Sequence, residues 1–178
     1  MYQSNSSLNL HQYTWLIYEL IYLSFFNDNE PTSLNFTSSP LFKVLLYESI
    51  KGLNINPNGI YVDATFGGGG HSKEIMKSLQ EGCLFAFDQD DDAIKNTIVD
   101  NKFKLIKANF RYIKNFLKIE GVSKIDGLIA DLGISSYQID VPERGFAYRY
   151  DSVMDMRMNT HSSLDAREVI NSYSESDL

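Results

Sequence analysis

Four glycines in a row, Gly67 to Gly70, follow an acid at the end of a short β-type run, Ile60-Tyr61-Val62-Asp63. His71, Ser72 and a helix-like stretch, KEIMKSL, come next. Strand, glycine loop and helix together bring a ligand against bare backbone. Glycine adopts positive φ and has no Cβ to hold a ligand away, and a helix start offers unpaired N–H groups. A glycine cluster taken alone is weak evidence, since glycines also make ordinary tight turns. Three more polar strand ends narrow the choice. Asp88 closes CLFAF, Asn109 closes FKLIKA and Asp131 closes DGLIA. Asp88 lies 21 residues after Gly67, close to the spacing of about 20 at which an acid accepts ribose hydroxyls in dinucleotide sites. Its other reading is a cap on the next helix.

The loop reads FGGGGHS, with Ser72 where the third glycine of G-x-G-x-x-G would stand. That departure weighs against a pyrophosphate-binding, nicotinamide-dependent oxidoreductase. A nucleoside without phosphates, such as S-adenosylmethionine, asks only for room beside the glycines, an acid for the ribose and an apolar wall for adenine. Phe110 is the candidate wall, or else a core aromatic. His71 is a ligand contact, a base or a hydrogen-bonding scaffold. The three histidines and one cysteine show no metal-ligand spacing.

These residues need elements to position them. Apolar spacing predicts helices over Leu41–Leu53, after Ser72 as cap, and around Ile113, Phe116 and Leu117, and the acids Asp91 and Asp92 suit the first turn of a helix through Val99. Strands are expected over 60–62, 83–87, 103–107 and 126–130. Strands alternating with helices argue for an α/β fold with a parallel, doubly wound sheet. Residues 135–158 lose all periodicity, and long irregular loops are usually functional. A helix is expected within Ser163–Ser172, and Ser174 with Asp177 has the spacing that opens another, which suggests a piece of a longer chain.

With 178 residues, 43% apolar and 22% charged, the chain has room for one domain and part of a second. A net charge of −7 gives no overall basic footprint for nucleic acid. Cys83 is the single cysteine, which excludes an intramolecular disulfide and points to a reducing, cytoplasmic setting. Residues 1–9 are polar. Leu10–Phe26 is the most apolar stretch, but it is interrupted by Gln12, Thr14, Glu19 and Ser24 and falls short of the roughly 20 residues a membrane helix needs. It reads as an amphipathic helix, and 27–40 as a linker.

VDATFGGGGHS, AFDQD, ANF, DGLIADLGISSYQID, ERGFAY and MDMRM resemble, in order and spacing, the bacterial 16S ribosomal RNA cytosine-N4 methyltransferases of the MraW/RsmH type. The likeness runs from about Pro40 to the end. It implies a class I, Rossmann-like methyltransferase sheet with a helical domain inserted after the fourth strand. The domain division would be 1–39 extension and linker, 40–140 cofactor-binding core and 141–178 loop with the start of the inserted domain. The resemblance implies S-adenosylmethionine contacts at Gly69, Gly70, His71, Asp88, Phe110, Asp131 and Gln138; only the resemblance supplies Gln138. Asp131, or the Leu132–Ser135 backbone, is the candidate acceptor for the cytidine N4 amine. Arg144, Phe146 and Arg157 are candidate contacts to RNA of the small ribosomal subunit, as is Arg149, with Tyr148 as a further stacking residue. Arg144 and Arg157 have the alternative of pairing with acids such as Glu143 and Asp155. Family members have His and Pro where Leu41 and Lys43 stand, Pro in place of Val153, and much longer chains. The expected activity is therefore methyl transfer, with a cofactor-binding but inactive fragment as the alternative. No membrane or metal partner is expected, and the exposed edge of a shortened sheet favours self-association.

Overall fold

Apolar residues on both faces of the central strands require cover on both sides, and the chain provides it. The computed structural model describes residues 40–178; the expectations for 1–39 lie outside the described residues. Of these, 40–130 and 134–178 belong to one compact unit, and Asp131–Gly133 group apart from it. Helix α1 (Pro40–Leu53) leads into β1 (Ile60–Asp63), then α2 (Gly70–Ser78), β2 (Cys83–Asp88), the single turn α3 (Asp91–Ile94) and β3 (Phe103–Lys107). A 3-10 turn at Phe110–Tyr112 opens α4 (Ile113–Ile119), and β4 (Gly127–Ile129) follows. The four strands are parallel in the order β3-β2-β1-β4. The fold is the Rossmann-like α/β class.

Alternate residues of each strand enter opposite cores. Tyr61, Leu84, Ala86 and Phe103 pack with Phe66, Ile75 and Leu79, and Ile50 and Leu53 of α1 close that side. Val62, Phe85, Phe87 and Ile106 pack with Leu117 of α4 and its neighbours Ile113 and Phe116. Side chains on a strand point to alternate faces, so a continuous apolar run such as CLFAF serves both layers at once. β4 is short and, among the described residues, pairs only with β1; Leu128 is 46% exposed. No helix among the described residues is long and apolar enough to cross a membrane.

The expected strands and helices between residues 40 and 172 stand, with three corrections, and Ser174–Asp177 forms a turn. The helix from Asp91 ends at Ile94 rather than Val99; Asn96 turns its side chain amide to the Gly67 carbonyl at 3.1 Å instead. Ser72 does not cap α2. The helix starts at Gly70 behind Gly69, whose φ of 76° makes the turn, and the Ser72 hydroxyl donates to Asp63 at 2.7 Å. Third, 135–158 is not wholly irregular. Ser135 and Gln138 cap each other in a reciprocal box that opens α5 (Ser136–Asp140). A 3-10 turn at Pro142–Arg144 and a left-handed Gly145 then fold the chain back. Helix α6 (Ala166–Ser172), capped by Asp165, is tied to 153–158 through Ala166 N–H to Asp155 carbonyl and Arg167 N–H to Met154 carbonyl.

Two positions carry unusual local cost. Gly145 has φ of 69°, and a Cβ there would strike the backbone at Val153 and Asp155. Gly145→Ala is expected to destabilise the fold by about 2–3 kcal/mol, through the left-handed backbone and the clash together, as read from urea midpoints at constant m. Asp63 is 1% exposed, and burial pushes its carboxyl above the usual 3.8, against the lowering effect of the Ser72 and Thr65 bonds. A raised carboxyl holds its proton better in the folded state, so its contribution is full below 3.8 and is lost as pH rises through the raised value. Asp63→Asn can still accept from Thr65 N–H and donate to Ser72 Oγ. Its thermal midpoint is expected to fall less than wild type as pH is raised from the carboxylate range to neutrality; parallel curves for the two proteins would contradict the assignment.

Candidate functional site

The loop after β1 is held by the end of β2. Phe66 N–H donates to the Phe87 carbonyl at 2.9 Å, and Gly67 N–H donates to Asp88 Oδ2 at 2.8 Å. The loop then turns through left-handed Gly67 and Gly69. A Cβ on Gly68 or Gly70 would meet open space, so backbone is approachable there. His71 sits half-buried in the first turn of α2, whose leading N–H groups face out of the helix start.

Asp88 uses one oxygen on Gly67 and the other on Asp90 N–H, at 2.9 Å. A carboxylate has about four acceptor sites, so roughly two remain for a ligand. The end of β3 joins from the far side, with Asn109 donating to the Gln89 side chain at 3.0 Å. Phe110 follows at once, its ring 45% exposed although apolar. The structure thus brings Gly67–His71, Asp88 and the start of the Phe110 turn to one end of the sheet.

Asp131 is placed by its own turn, where its carboxylate accepts Gly133 N–H at 3.0 Å.

Three further residues make a buried polar cluster beside Asp88. Asp90 is 5% exposed, Gln138 5% and Arg144 6%. Arg144 Nη2 and Nη1 donate to the two oxygens of Asp90 at 2.7 and 3.1 Å, and Nη1 also reaches Asp92 at 2.9 Å. Gln138 Nε2 donates to Asp90 at 2.8 Å, while its oxygen accepts Ser135 N–H. Burial opposes the charge on both partners. Arg144, the Asp92 N–H and Gln138 outweigh it and hold the Asp90 carboxyl below its usual range; Asp90 and Asp92 likewise raise Arg144. Asp90 also caps α3 through Asp92 N–H.

The candidate RNA residues divide accordingly. Arg144 turns inward, to Asp90 and Asp92 rather than Glu143, and its guanidinium lies 5.9 Å from the Phe146 ring centre. Arg157 pairs with Asp155 at 2.6 Å and donates to the Ser162 carbonyl. Arg149 pairs with Asp140 and lies over Tyr150, and Tyr148 is 92% exposed. Sequence reading missed Asp90 as a hub. No local spacing rule joins residues 54 apart, and only its place after Asp88 at a helix start marked it.

Known proteins are similar to this chain over most of its length. The ribosomal RNA small subunit methyltransferase H of Cytophaga hutchinsonii is 61% identical over 134 residues, 74% of this chain and 45% of that protein. The enzyme of the same name from Flavobacterium johnsoniae is 57% identical over 136 residues, 76% of this chain and 45% of its own length. That from Amoebophilus asiaticus is 56% identical over 133 residues, or 74% and 43%. The chain spans less than half the length of these relatives. The model of the MraW methylase family matches residues 38–178, and the chain belongs to that family.

Proposed function

We propose that this chain is the cofactor-binding part of an S-adenosylmethionine-dependent methyltransferase that modifies the N4 amine of a cytidine in 16S ribosomal RNA. The observation that carries the reading is Asp88: a carboxylate at a strand end that steadies the glycine loop and keeps acceptor capacity for a ribose. The names of the relatives, all ribosomal RNA methyltransferases of the small subunit, support the substrate class. In this reading residues 40–140 form the cofactor core and 141–178 begin an inserted domain. Gly69, Gly70 and His71 border the donor, Asp88 accepts from its ribose, Phe110 covers its adenine, and Asp131 and Gln138 lie toward its methionine end. The fit rests on open backbone at Gly68 and Gly70 and on the half-exposed Phe110 ring.

When bound, the donor supplies an electrophilic methyl group on a sulfonium. The chain's task is to orient the nucleophile. The cytidine N4 lone pair is delocalised into the ring, so accepting an N4–H hydrogen bond and fixing the amine in line raises its reactivity. Asp131, or a backbone carbonyl of Leu132–Ser135, is the proposed acceptor. Phe146 and Arg157, both partly exposed, are proposed to meet the RNA by stacking and by phosphate contact, as is Arg149.

Calorimetric titration of this chain with S-adenosylmethionine and, side by side, with NAD tests the cofactor. Binding of the first alone is expected; binding of NAD alone would overturn the reading. Asp88→Ala, checked for folding by circular dichroism, is expected to weaken donor binding about 10- to 100-fold, the worth of one or two hydrogen bonds to a charged acceptor. Unchanged affinity would remove Asp88 from the site. Radiolabelled methyl transfer to small-subunit RNA then separates an active chain from one that binds without turnover.

A further inference from the structure

A continuous run of hydrogen bonds joins the glycine loop to residues 144–158. It starts at Gly67 N–H on Asp88 and continues through Asp90 N–H on the same carboxylate. It crosses from the Asp90 carboxylate to the Arg144 fork. From there Arg144 donates to the Arg157 carbonyl at 2.8 Å, and the Arg144 carbonyl accepts Met156 N–H at 3.0 Å. Gln138 makes a parallel link, from Asp90 to the Met158 sulfur at 3.1 Å. Asp90, Gln138 and Arg144 are all at least nine-tenths buried.

The cluster is specific in shape. Arg144 engages both oxygens of one carboxylate, a planar match that a lysine ammonium cannot reproduce. Its Nε is buried with no hydrogen-bond partner in the structure. An unpaired buried donor costs free energy, so the fork is oriented by what its other nitrogens hold. Those nitrogens hold one side at Asp90 and Asp92, in the β2–α3 turn that follows Asp88 and in α3, and the other at the Arg157 backbone.

We propose that Arg144 is a positioning residue that locks the 153–158 segment to the β2–α3 turn, so that the geometry of the glycine loop and the affinity for S-adenosylmethionine depend on the Arg144 fork. The affinity part rests on the proposed cofactor; the mechanical part does not. Arg144 touches no ligand in this scheme. It acts through Asp90 on Asp88, and through Asp88 on Gly67.

The test uses this chain with Arg144→Lys and Arg144→Met, at a temperature where circular dichroism and chemical denaturation show each variant folded. Two readouts are taken: calorimetric affinity for S-adenosylmethionine, and amide hydrogen exchange at Gly67 and Met156 by NMR. Both variants are expected to bind about five- to tenfold more weakly, in the range of ordinary coupling between sites. Exchange at both amides is expected to quicken. Combining Arg144→Met with Asp90→Asn is expected to weaken binding no more than the more damaging single change, because both break one link. A folded variant with wild-type affinity and wild-type exchange at Gly67 would overturn the proposal and leave Arg144 a stabilising residue only. If the wild-type chain binds no S-adenosylmethionine, the cofactor reading fails by itself. The exchange at Gly67 then decides the mechanical claim: faster in Arg144→Lys sustains it, unchanged refutes it. Arg144→Lys keeps the charge and most of the stem, so it serves if Arg144→Met does not fold.

Discussion

The register of β1 against β2 is the constraint on which the rest depends. Parallel pairing sets Asp63 opposite Ala86, so the two chains leave the sheet at the same end and nearly the same height. Only then can Gly67 reach Asp88 and Phe66 reach Phe87. A slip of one residue would turn Tyr61 and Val62 to the wrong cores and would carry the glycine loop away from its acid. The two apolar layers make that slip costly. Val62, Leu84, Ala86 and Phe87 are fully buried or nearly so, and each fully buried aliphatic or aromatic side chain stabilises the fold by about 1.5–3 kcal/mol. Ordinary hydrophobic burial therefore holds the polar loops in place. The loops themselves supply little of the stability and most of the chemistry.

Inside that frame the loop is set by two acids with different duties. Asp63 is sealed under it, accepting Ser72 Oγ and Thr65 N–H. Asp88 stands at its rim, accepting Gly67 and Asp90 N–H and keeping capacity in hand. The difference follows from burial. A carboxylate 1% exposed has no room for a ligand, while one at the rim can exchange water for hydroxyls. The same division separates the residue that braces the loop from the residue proposed to face a ligand.

Much of this was legible in the residues. Alternation of short apolar runs with helical spacing marks the parallel strands, most clearly β2, because a strand buried on both faces has no polar side to show. The run Ile60–Asp63 and the four glycines mark the loop because backbone freedom is a property of residue type. What was not legible has physical reasons too. Ser72 looks like a helix cap by local preference, but Asp63 lies close enough to claim its hydroxyl, and tertiary contact overrides the preference. Asp91 and Asp92 suit the first turn of a helix through Val99, yet Asn96 is drawn to the Gly67 carbonyl and the helix stops after one turn. The Asp90–Arg144 pair joins two halves of the chain by a contact with no sequence period. Charge type made Arg144 look like a surface residue, since arginine is almost never fully buried unless paired.

That pair also says something about design. Replacing a buried ion pair by apolar side chains of similar volume is often neutral or stabilising, because desolvation of both charges offsets their attraction. A fold that needed only stability here had simpler choices, and one that tolerates an unpaired Arg144 Nε carries an added cost. What the pair provides that leucine and methionine cannot is direction. Two parallel N–H bonds fix the angle of the carboxylate as well as its distance. Asp90 sits one residue from the turn that aims Asp88, so an angular error at Asp90 passes into the acid that steadies the glycine loop. A polar hub placed two residues from the rim of the proposed cofactor site, and nowhere else among the described buried residues with an arginine, fits a requirement for angular accuracy. Stability alone would have been served equally well by a fully apolar contact.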